Sequence, residues 1–268
     1  MGNEELIPTT VQPAHIKFYC WKPFLVQIDE RQRHLAITGS YAEGQKRYLS
    51  NIISQDIAHI RYTEKYGHLV KRYEHSQMIN GMIIFASSNS SLRDIVEKGI
   101  RKNNNCKYNL IMSPSERNGN NGSLLEEVKQ LNLDKEIEGG GILYLEFDPN
   151  YEEESTKAIN YIMKQLTEII PYRKSLFVYS IVFEDVDMLL HLNKEFEMYF
   201  RYISQDRRTN RCAMSVNYEN KYSQDSPFFR GFKNHISIEY GNQATAELTK
   251  CGKIDSFSFM PFAPVEPI

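Results

Sequence analysis

A chain of 268 residues that is 41% apolar can bury a core, and a formal net charge of −2 excludes general attraction of the whole molecule to a polyanion. No apolar run of about 18 residues occurs, and the start, Met1-Gly2-Asn3-Glu4-Glu5-Leu6, lacks the basic-then-apolar profile of an export signal; no membrane partner and a cytoplasmic location are therefore expected. Cys20, Cys106, Cys212 and Cys251 form no close pair, which favours reduced thiols over a disulfide framework or a zinc site.

Residues 1–15 are polar, contain prolines and read as an arm. Strands are expected over 16–20 and 24–28, interrupted at Lys22-Pro23, and a third over 34–38 after the polar turn 29–33. Residues 42–53 read as a helix with Tyr48, Leu49, Ile52 and Ile53 inward. Segments 57–63 and 68–73 suggest a hairpin across Glu64-Lys65-Tyr66-Gly67. Residues 1–79 thus read as a mainly antiparallel section.

The pattern changes near Asn80-Gly81. A short buried strand at 82–86 leads through Ser87-Ser88-Asn89-Ser90-Ser91 into a helix, and a further strand spans 108–112. Ser123 and Glu126 make a capping box for the next helix. Gly139-Gly140-Gly141 opens a strand that runs to Phe147 and stops at Asp148-Pro149-Asn150. Ile159, Ile162, Met163, Leu166, Ile169 and Ile170 recur on one helical face, and Glu152, Glu153 and Glu154 suit the positive end of that helix. The run 176–183 barely alternates, as expected for a strand covered on both faces in a parallel sheet. Leu189, Leu192, Phe196, Tyr199 and Ile203 mark another helical face.

These features predict an α/β fold, with mixed α+β as the alternative. Residues 80–268 would carry a βα-alternating, four- to six-stranded mixed sheet with helices near 91–102, 123–133, 152–170 and 186–203. The boundary near residue 79 separates two sections or lies within one single domain. The strands around Leu143 and Val178 are expected to be parallel neighbours, with the intervening helix across them.

Three sites carry candidate chemistry. Glu146 and Asp148 end one strand, and Asp185 and Asp187 follow the next, beside Glu184. On adjacent parallel strands they would meet at one sheet edge, where carboxylates could hold Mg²⁺ or Mn²⁺ for phosphodiester hydrolysis. Turn and capping preferences explain the same acids without a metal. The 87–91 segment could cradle a phosphate or simply cap a helix. No Walker lysine follows that segment, and GxGxxG, HExxH, P-loop and zinc-finger spacings are expected to be absent from the chain.

The third site is basic and aromatic. Residues 199–234 hold seven bases against three acids, with Arg201, Arg207, Arg208, Arg211, Arg230 and Lys233 among them and Tyr and Phe interleaved. Such a segment suits single-stranded nucleic acid, unless its aromatics are core. Residues 123–154 hold ten acids against two lysines, and this opposite charge suggests self-association. The expectation is a nucleic-acid-binding module, with a metal-dependent nuclease and a self-associating structural protein as alternatives.

Overall fold

The computed structural model describes residues 16–18, 24–26, 28–40, 42–101, 107–116, 123–192, 194–205, 211–218, 230–240, 244–250 and 253–259. A short antiparallel pair, β1 (Ile16–Phe18) and β2 (Phe24–Val26), stands apart from the main sheet. After the one-turn helix α1 (Ile28–Arg31) come β3 (Leu35–Thr38), the long helix α2 (Ala42–Tyr66), β4 (Ile79–Ser87), α3 (Leu92–Arg101) and β5 (Tyr108–Ile111). Next are α4 (Leu124–Gln130), α5 (Leu133–Gly139), β6 (Gly141–Phe147), α6 (Glu152–Ile169) and β7 (Val178–Phe183). The chain continues through α7 (Val186–Leu192), α8 (Lys194–Gln205), β8 (Cys212–Asn217), β9 (Asn234–Tyr240), β10 (Ala244–Lys250) and β11 (Lys253–Phe259).

Among the described residues the main sheet has nine strands in the order β11-β10-β9-β3-β8-β7-β4-β6-β5. All pairs from β9 to β5 are parallel, which makes seven parallel strands, and β10 and β11 extend the β9 edge as antiparallel neighbours. Helices cover both faces, so the central strands are apolar on both sides. One face packs α4 to α8 around Phe85, Leu143, Phe183 and Phe200; the other packs α2 and α3 around Ile37, Ile84 and Val182. Phe85 and Phe183 stack across neighbouring strands at 4.6 Å between ring centroids, a pairing that adds to what their burial contributes.

Several expectations change. The first section is not a separate antiparallel layer, because β3 runs parallel between β8 and β9 inside the main sheet. The hairpin expected over 57–73 is absent: Ile57, Ile60 and Thr63 continue the buried face of α2, begun by Tyr48, Leu49, Ile52 and Ile53. Turns of 3₁₀ helix follow at Gly67–Leu69 and Arg72–Gln77. The sheet is also wider than four to six strands.

The strands carrying Leu143 and Val178 do run the same way in one sheet, but they are not neighbours. Strand β4 lies between them, with Ile83 aligned to Leu143 on one side and to Ile181 on the other. Two strand spacings, roughly 10 Å, therefore separate the acidic ends of β6 and β7.

Candidate functional site

Parallel α/β sheets place ligands at the carboxyl ends of their strands. At this edge the acids of the expected metal site have separate partners. Glu146 is buried, takes a hydrogen bond from the Ser113 amide at 3.3 Å and pairs with Arg93 at 3.3 Å. The Asp148 carboxylate accepts the Asn150 amide at 2.8 Å and so caps the turn that follows β6. Asp187 lies in the first turn of α7 and is also buried. Glu184 and Asp185 share the Lys46 ammonium, and no group of three metal-binding side chains exists among the described residues. The Mg²⁺ or Mn²⁺ site built on Glu146, Asp148, Asp185 and Asp187 is not assembled, because β4 splits the two strand ends.

The 87–91 segment turns β4 into α3. Its Ser87 amide faces Glu184 at 3.3 Å, its Ser88 amide donates to the Phe147 carbonyl at 2.9 Å, and Ser90 Oγ accepts the Leu92 amide at 3.0 Å. The segment caps a helix, with Ser90 as the capping side chain.

Of the basic residues, Arg201 pairs with Glu197 one turn away on α8. Arg211 donates to the carbonyls of Arg173 and Ser175 at the opposite, amino edge of the sheet. Lys233 Nζ reaches the Arg230 carbonyl at 3.2 Å, and both residues are exposed. Arg207 and Arg208 lie outside the described residues. The aromatics Phe200, Tyr218 and Phe232 are core, and Phe200 stacks on Phe232. These three rings are therefore not available to stack on bases; Tyr202 is exposed, and residues 219–229 lie outside the described residues.

The polar cluster that the structure does build joins β3, α2, β7, β8 and β9, which are far apart in the chain. Strand β3 leads through Gly39-Ser40 and residue 41 into α2, while β7 and β8 end beside it. Gly39 has φ +127° and passes so close to β9 that an added Cβ would lie 2.0 Å from the Ile238 carbonyl oxygen. Only glycine meets both conditions. Gln45, 2% exposed, folds back to donate to the Gly39 carbonyl at 2.7 Å. The Glu239 carboxylate accepts from the Ser40 amide at 3.3 Å and from its hydroxyl.

One turn into α2, Lys46 Nζ lies 3.3 Å from Asp185 Oδ2 and 3.5 Å from Glu184 Oε1. Asp185, at φ +50°, exchanges two hydrogen bonds of 3.0 Å with Asn217 at the end of β8. Burial opposes the charge on Lys46, but Asp185 and Glu184 outweigh it and hold the ammonium above its ordinary range. Burial raises the Glu184 carboxyl, against hydrogen bonds from Ser90 and Ser87 and the charge of Lys46.

A strand, a Gly-x₄-Gly segment and a helix follow in the order of a P-loop, whose strict form reads GxxxxGK[ST], but α2 begins at Ala42, so the second glycine already lies in the helix. Here Gly39 and Gly44 keep the glycine spacing, Gln45 stands where the phosphate-binding lysine belongs, and Lys46 takes the serine or threonine position. A search for the strict lysine passes over it. The useful signal was the glycine spacing between a strand and an amphipathic helix.

No family model matches the chain, and no curated protein matches it by sequence. Solved structures do match in fold. Thermomonospora curvata EccC (ATPases 2 and 3), in complex with a signal sequence peptide, aligns with a TM-score of 0.53 at 8% identity over 92% of this chain and 40% of its own. The cytoplasmic domain of the Thermomonospora curvata Type VII secretion ATPase EccC aligns with a TM-score of 0.51 at 9% identity, over 92% of this chain and 26% of its own. EssC (ATPases 2 and 3) from Geobacillus thermodenitrificans gives 0.49 at 10% identity, over 97% of this chain and 47% of its own. The chain thus spans less than half the length of each.

The likeness is one of fold: the chain has an ATPase-like α/β fold. That fold points away from the two expected functions of nucleic-acid-binding module and carboxylate-metal nuclease. Among the described residues, no helix is long and apolar enough to cross a membrane.

ATPases of this fold imply a nucleotide with Mg²⁺. In the P-loop arrangement a lysine reaches the β- and γ-phosphates, and a hydroxyl joins an acid at a strand end in holding the metal. The residues present do not fit that group. The phosphate-binding lysine is replaced by an amide turned onto the loop's own carbonyl, and an ammonium lies against the strand-end acids.

Proposed function

We propose that this chain is an ATPase-fold domain that does not hydrolyse nucleotide and serves as an accessory module of a larger secretion-type ATPase on the cytoplasmic side. The carrying observation is the Gln45 amide bound to the Gly39 carbonyl at 2.7 Å. It satisfies the loop internally and offers no cation to the phosphates whose charge a transferring enzyme must stabilise. The sheet order, with β8 alone between β3 and the strand β7 that leads into Glu184 and Asp185, supports descent from a phosphate-handling frame. Two structures similar in fold support the wider setting: the cytoplasmic domain of a secretion ATPase, and ATPase domains in complex with a signal sequence peptide.

The test is ATP turnover by the purified chain with and without Mg²⁺, beside Glu184→Gln. The expected result is no turnover above that variant and no gain in nucleotide affinity from Mg²⁺. Mg²⁺-dependent turnover that disappears in Glu184→Gln would refute the proposal.

A further inference from the structure

The acidic corner at the end of β7 is preorganised for a cation. Glu184 is 1% exposed, and its Oε2 accepts the Ser87 amide at 3.3 Å. Asp185 Oδ1 accepts the Asn217 side-chain amide at 3.0 Å, and the Asp185 amide donates to Asn217 Oδ1 at 3.0 Å. Glu184 also takes a hydrogen bond from the Ser90 side chain, so both carboxylates are held by the protein. Glu184 Oε1 and Asp185 Oδ2 converge on Lys46 Nζ at 3.5 and 3.3 Å. Mg²⁺ characteristically uses one or two carboxylates and completes its shell with water. Lys46 occupies the motif position whose hydroxyl would otherwise join such a metal.

Resting on the reading of a non-hydrolysing domain, we infer that the Lys46 ammonium is a built-in replacement for the divalent cation, and that Glu184 and Asp185 form a latent Mg²⁺ or Mn²⁺ site which the lysine closes. A fixed ammonium supplies positive charge to two buried or half-buried carboxylates without coordination geometry or metal supply. It also excludes a second cation by repulsion and by volume. The natural chain is accordingly indifferent to divalent ions at this corner, while loss of the lysine opens it.

The experiment is titration of the full chain with Mn²⁺ alone, read by the electron paramagnetic resonance of the free ion and by the shift in melting temperature. Lys46 is 43% exposed, so its replacement leaves the core intact. Lys46→Ser and Lys46→Gln are each expected to bind Mn²⁺ at least roughly tenfold more tightly than the natural chain. Lys46→Arg, which keeps the charge, should behave as the natural chain does. Lys46→Ser combined with Asp185→Asn should lose the gain. Equal Mn²⁺ affinity in the natural chain and in both neutral variants, with circular dichroism showing all three folded, would overturn the inference. So would a gain that survives Asp185→Asn. ATP turnover by the natural chain would instead defeat the non-hydrolysing reading, so the two failures are separable.

Discussion

Acidification should weaken this fold through His34. Its ring is buried against Phe232, with centroids 5.5 Å apart, and its Nδ1 accepts the Met214 amide at 3.2 Å. Nδ1 must therefore be unprotonated, and burial pushes the imidazole from 6.5 down to about 4, against a hydrogen bond to the Ile203 backbone. The unfolded chain binds the proton more readily. The stability tied to neutral His34 is thus complete above pH 6.5 and lost as the pH falls towards 4. Over the whole window the loss is about 3 kcal/mol, and between pH 7 and pH 5 it is about 2 kcal/mol.

The comparison variant is His34→Asn. Asparagine tolerates the φ of +61° found here and does not titrate. Urea unfolding at pH 7 and pH 5 gives four stabilities. His34→Asn should be less stable at pH 7, from lost packing on Phe232, yet lose about 2 kcal/mol less than the natural chain on going to pH 5. His235, which burial also depresses, remains in both chains and cancels in the difference. Equal losses in the two chains would refute the argument.

Two further predictions concern buried charge. Arg31 and Asp56 are 2% and 1% exposed and pair at 2.7 Å, with Ser180 Oγ donating to the same carboxylate oxygen at 2.7 Å. Removing the counter-ion in Arg31→Met should cost about 3–5 kcal/mol in urea unfolding, because the carboxylate stays buried; a cost below about 1 kcal/mol would mean that water already reaches the pair. Glu184 titrates higher in the fold than in the unfolded chain, so its contribution is present at acid pH and is lost as the pH rises through the folded value. Glu184→Gln should accordingly melt higher than the natural chain at pH 8, with the gap narrowing at pH 4; a gap that widens on acidification would contradict the burial argument.

Local periodicity made several elements legible. The apolar runs behind β4, β6 and β7 and the spacing of Ile159, Ile162, Met163 and Leu166 on α6 state their structure within a few residues. The sequence pattern predicts α2 only to residue 53, because Tyr66-Gly67 resembles a hairpin turn, whereas Ile57 and Ile60 bury on the same face as Ile53. Strand order had no local signature. A strand covered on both faces presents the same apolar run beside any neighbour, so nothing in Leu143 or Val178 announces that β4 separates them.

The cluster followed the same division. The chain itself supplied Gly39, Gly44, Gln45 and Lys46 at fixed spacing, together with an acidic pair after β7. Tertiary structure decided that these meet, because β8 and β3 bring the end of β7 beside the start of α2 and direct two carboxylate oxygens onto Lys46. Spacing along a chain sets which residues can share a turn of helix, while contacts between residues 46 and 185 arise only from the order in which strands pair.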